Sequence, residues 1–83
     1  MTDVATAAAR QRGSQVFRVV CLAENLSQVL RDLEPWAWRD LYLYLRADYS
    51  ETGVSGYVLG LLLVESGDRY AAHLAAILPP PKL

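Results

Sequence analysis

An 83-residue chain has room for one small core, and with 53% hydrophobic against 20% charged residues it carries a modest surplus of apolar side chains to hide. A domain this short buries only about 60% of the surface its unfolded chain exposes, so some support is expected, yet the single cysteine, Cys21, excludes an internal disulfide and a cysteine-based zinc site. Eight basic residues scattered among nine acidic ones, for a net charge of −1, leave no basic run of the kind that nucleic acid or an anionic membrane surface requires. Self-association or a partner protein is the support that remains.

Residues 1–13, "MTDVATAAARQRG", lack large apolar residues beyond Met1 and Val4 and are expected to form a flexible N-terminal arm, frayed or weakly helical. Asp3 and the small residues after it give no signal-peptide core, and the longest apolar run, Tyr57 to Val64, is far below the roughly 20 residues that cross a bilayer. A cytoplasmic protein without membrane association is the resulting expectation.

Residues 14–78 are expected to form the single compact domain. In "SQVFRVVCLAENLSQVLRDL", Leu22, Leu26, Val29, Leu30 and Leu33 fall on one helical face, which favours one helix through the whole segment. Val16, Phe17, Val19 and Val20 equally suit a strand, so a short strand before a helix starting at Asn25 or Ser27 is the alternative.

"EPWAWRDLYLYLRADYS", residues 34–50, holds five of the eight aromatic residues. As a strand it alternates, with Leu41, Leu43 and Leu45 on one face and Trp36, Trp38, Tyr42 and Tyr44 on the other, a platform of the kind that stacks single-stranded bases. Helix is favoured instead. The segment has no Val, Ile or Thr, and Pro35 suits a first helical position beside acidic Asp32 and Glu34. The helix then has two apolar sides: Trp38, Leu41, Tyr42, Leu45 and Tyr49 on one, Trp36, Leu43, Tyr44 and Ala47 on the other, with Arg39, Asp40, Arg46 and Asp48 as solvated flanks.

Two further helices joined at Ser66 and Gly67 are expected over residues 54–78, with apolar faces of Val54, Tyr57, Val58, Leu61 and Leu62, then Tyr70, Leu74, Ile77 and Leu78. The spacing of Leu59, Gly60, Gly67, Asp68 and Ala72 resembles one tetratricopeptide-type helical hairpin, unrepeated. A strand over residues 57–65 pairing with "LYLYL" is the rival. Residues 79–83, "PPPKL", read as a proline-rich tail.

The fold expected is therefore mainly α, a three- to four-helix bundle, with an α+β sandwich of βαββα order and an aromatic sheet face as the alternative. Catalytic, cofactor and metal chemistry find no constellation. His73 stands between Ala72 and Leu74 with no required ligand partner, and Cys21 between Val20 and Leu22 reads as a small buried hydrophobe. "TGVS" at Thr52–Ser55 resembles the turn of a DNA-binding helix-turn-helix, but the helix after it offers no Arg, Lys, Asn or Gln to reach a base.

What remains is the aromatic segment. Trp, Tyr and Arg are the residue types that concentrate binding energy at interfaces, which makes Trp36, Arg39, Leu43, Tyr44 and Arg46 the expected partner-binding residues. The functional expectation is a small non-catalytic protein-interaction domain, a regulator or inhibitor of a larger partner and a homodimer. It needs no cofactor, metal or small-molecule substrate. The alternative is a regulator that binds single-stranded nucleic acid or DNA.

Overall fold

The computed structural model describes residues 4–47, 53–66 and 68–72. Four helices lie within them and no strand: α1 (Val4–Cys21), α2 (Leu26–Asp32), α3 (Pro35–Ala47) and α4 (Val54–Ser66). The mainly α bundle is the fold, and the βαββα sandwich falls with its aromatic sheet face.

α3 lies at the centre, with α1 laid along one side and α4 packed against both α2 and the opposite side of α3. Its start follows from local chemistry. Pro35 forces the preceding residue out of helical geometry, ending α2, and then supplies the fixed φ of a first helical turn, closed by Trp38 N–H on the Glu34 carbonyl at 2.9 Å. The expected inner stripe is correct: Trp38, Leu41, Tyr42 and Leu45 are buried, and with Leu30, Val20, Val58, Leu59, Leu62 and Tyr70 they make the core. Tyr49 and Asp48 lie outside the described residues.

Three features differ from expectation: the start of α1, the break after it and the buried side of α4. Residues 4–13, expected to be frayed or weakly helical, form the first half of α1, since Ala7, Ala8, Ala9 and Arg10 are strong helix formers and the helix has a neighbour to lean on. That neighbour is very close: a Cβ added at Gly13 would fall 2.0 Å from the Asp40 carbonyl oxygen and 2.7 Å from Tyr44 Cβ, so α1 and α3 touch backbone to backbone.

The segment 14–33 is neither one helix nor strand then helix. α1 runs through the valines and stops at Cys21, and α2 restarts where the Asn25 side chain accepts the Gln28 N–H at 3.1 Å. Leu22, expected on the apolar face, lies in the break and is 86% exposed, and Cys21, expected inside, is exposed. With only seven residues, α2 depends on that cap. Asn25→Ala is expected to remove about 1 kcal/mol of stability, lowering Tm by about 4–8 °C; thermal denaturation followed by circular dichroism measures it, and an unchanged Tm contradicts the cap.

In α4 the buried face is Ser55, Val58, Leu59, Leu62 and Ser66, which turns the expected Val54 and Tyr57 out to solvent. The helix is apolar on every side, so periodicity could not choose which side goes in. Past it, residues 68–72 fold back onto the α2–α3 junction. Tyr70 donates its hydroxyl to the Leu33 carbonyl, and Arg69 Nη1 donates to the Arg31 carbonyl at 2.7 Å, capping carbonyls that the end of α2 leaves unpaired. Gly67, His73, Leu74, Ile77, Leu78 and the "PPPKL" segment lie outside the described residues.

Candidate functional site

The sequence-predicted partner residues divide in two. Trp36, Arg39, Leu43 and Arg46 recur at helical spacing along the outward side of α3, where Trp36, Arg39 and Arg46 are exposed and Leu43 half-buried. Tyr44 does not join them. Its ring packs against Phe17 of α1 at 5.5 Å between centroids, so part of the second apolar side is covered within the chain. Arg46 lies over the Tyr42 ring at 5.9 Å, which ties that guanidinium to the wall of the core.

Asp40, expected on a solvated flank, is fully buried under α1. Arg12 Nε donates to its Oδ2 at 2.8 Å and Arg12 Nη2 to Oδ1 at 3.5 Å, while Arg39 Nη2 approaches Oδ1 at 3.4 Å. The buried carboxylate is thus met by two guanidiniums. The hydrogen bond and then the charge of Asp40 raise the pKa of Arg12, against a smaller opposing effect of desolvation. A pKa raised on folding adds stability below the usual arginine range and loses it as pH rises above, so while Asp40 carries its charge the clamp between α1 and α3 holds across physiological pH.

Beside this clamp the three helices leave an apolar groove of about 400 Å³. α1 contributes Val16, Val19 and Val20 to its walls, α2 and its end contribute Val29 and Leu33, α3 contributes Trp36 and Ala37, and Arg12 and Gln15 stand at a polar edge. Trp36 keeps 56% and Val19 68% of their surface exposed, although both are large and apolar. The helix break at residues 22–25 makes this groove, because it lets α2 turn back beside α1 instead of continuing it. Trp36, named from the sequence as an expected partner residue, lines this groove; the valine wall was not foreseen, its only signal being a valine-rich run also compatible with a strand.

Other chemistry is sparse. Among the described residues no three His, Cys, Asp or Glu side chains gather closely enough to hold a metal ion, and no helix is long and apolar enough to cross a membrane. The fold and groove define a small helical bundle with a preformed apolar groove flanked by an aromatic and arginine-bearing helix face. No protein-family model, curated protein or solved structure matches the chain.

Proposed function

We propose that this chain is a non-catalytic protein-interaction domain, a regulator or inhibitor of a larger partner, binding through the outward side of α3 and the groove that Trp36 borders. The observation that carries the reading is Trp36 itself, a large aromatic side chain left half in water at the wall of a formed apolar concavity. Tryptophan and arginine beside an apolar pocket are the composition of binding hot spots, and a rigid helix presents them with little conformational entropy to lose. Arg39, Leu43 and Arg46 extend the surface along α3; Tyr44 supports it from beneath through Phe17. Self-association belongs to the same reading, as does a reducing cytoplasm, where an exposed lone thiol such as Cys21 stays unpaired.

No observation favours the nucleic-acid alternative. Its aromatic platform needed Tyr42 and Tyr44 side by side on a sheet, and in α3 one is buried in the core while the other faces α1.

The test is affinity capture from an extract of the source cells, run in parallel with the parent chain and Trp36→Ala. The substitution is expected to weaken capture of the partner by about thirtyfold or more, the signature of a hot spot, with folding unchanged by circular dichroism. Equal capture by both proteins overturns the reading.

A further inference from the structure

The near-neutral total charge hides a separation by helix. α1 and α3 carry five arginines, Arg10, Arg12, Arg18, Arg39 and Arg46, against one acid, Asp40, which is fully buried. Arg12 and Arg39 share that single carboxylate, so two positive charges face one negative charge at the polar end of the groove, and both arginines are about half exposed. The far end has the opposite sign. α1 and α3 touch at Gly13 and Asp40 and from there follow the groove to Val19 and Trp36; past those residues the next charges are Glu24 and Glu34, both exposed. Of the other charges nearby, Arg18 is exposed and outside the groove lining, Arg31 is paired with Glu65 at 3.4 Å, and Asp32 accepts from Gln28 at 2.9 Å.

We propose that the groove takes an acidic amphipathic helix of the partner protein, its carboxylate at the Arg12 and Arg39 end, an inference that rests on the reading of Trp36 above. The occupant must carry apolar side chains along one side for the valine and tryptophan walls and a negative charge at one end of them for the surplus guanidinium. From Arg12 to Val19 the trough is about 10 Å long, two helical turns, which suits apolar residues at i, i+3 or i+4, and i+7. The acids at the far end repel a second carboxylate there and so fix the direction in which the helix lies. A fatty acid has the same two chemistries, but small ligands are typically enclosed over roughly 70–90% of their surface, whereas Val19 and Trp36 stand open and the exposed surface runs on along α3 through Arg39, Leu43 and Arg46. A second copy meeting this one by its own α1–α3 side brings arginines to arginines. Residues 73–83, with Lys82 and no Asp or Glu, lack the carboxylate side chain.

Peptides selected on the full chain from a displayed library of random short sequences test this. The selected sequences are expected to carry Asp or Glu within a turn of apolar residues at helical spacing and to lose binding with Trp36→Ala. Gln15 stands exposed at the polar edge and takes no part in the clamp, so its charge can be changed in either direction. Gln15→Lys is expected to tighten a selected peptide about threefold and Gln15→Glu to weaken it about threefold, with the gap closing in high salt and on replacing the peptide's acid by Gln. Selected peptides without an acidic residue, or bound through Trp36 yet indifferent to both Gln15 substitutions, overturn the acidic occupant and leave the reading of Trp36 in place. Binding unaffected by Trp36→Ala overturns both. If no peptide is selected the proposal also fails, and titration with laurate or sedimentation of the chain then shows whether an amphiphile or a second copy fills the groove.

Discussion

Trp38→Ala is expected to remove a large part of the chain's stability, and nearly all of it at the low end of the range for a chain this short. The side chain is fully buried, stacked within 5° of parallel on Tyr42 at 5.3 Å and tilted against Tyr70 at the same distance. Its indole Nε1–H donates to Ser66 Oγ at 2.8 Å, and Ser66 donates onward to the Leu62 carbonyl at 2.8 Å, so one side chain joins α3, α4 and the turn after α4. Truncating a buried tryptophan costs about 3–5 kcal/mol. A chain of this length has only about 4–12 kcal/mol in total, so the loss is comparable with the whole stability at the low end of that range. Trp38→Phe keeps most of the ring but removes the donor to Ser66, for a smaller loss of about 1–2 kcal/mol. Urea denaturation followed by circular dichroism ranks the three proteins; Trp38→Ala within 1 kcal/mol of the parent would remove Trp38 from the core.

The second large effect is at Gly13, where the sign of the change is itself the test. On an uncrowded helix, Gly→Ala adds about 1 kcal/mol of stability. Here the new Cβ would lie 2.0 Å from a backbone carbonyl oxygen, and no rotamer moves a Cβ away. α1 must lift from α3, drawing Arg12 off Asp40 and opening the groove. Gly13→Ala is therefore expected to destabilise by about 1–3 kcal/mol and Gly13→Val by more. Hydrogen exchange should show the loss of protection concentrated in α1 while α4 amides keep theirs. A stabilising Gly13→Ala would mean that α1 does not rest on α3.

These two residues also mark the limits of the sequence. Trp38 was legible because it recurs with Leu41, Tyr42 and Leu45 at helical spacing behind a proline, a local pattern that needs no knowledge of neighbours. Gly13 and Arg12 were not. They lie in a stretch with few large apolar residues, where packing comes from backbone contact and one ion pair, and hydrophobic periodicity registers neither. Asp40 was misplaced for the same reason, since only the position of α1 makes it interior. α4 offered the opposite difficulty: apolar all round, it had no preferred side until α2 and α3 supplied one. Trp36 was legible as a candidate from residue type alone, while Tyr44, of equal standing in the sequence, was claimed by Phe17 of the same chain. The groove depends on the break after Cys21, which a continuous apolar stripe from Leu22 to Leu33 concealed.

The claim that one tryptophan holds the fold while the other meets the partner is most directly tested with the chain's two tryptophans as separate reporters. Fluorine NMR of the full chain labelled with 5-fluorotryptophan gives one resonance for each, assigned through Trp36→Phe. On titration with the captured partner, the Trp36 resonance is expected to shift and lose its sensitivity to solvent while the Trp38 resonance stays in place. A partner that binds with the Trp36 resonance unmoved contradicts the account.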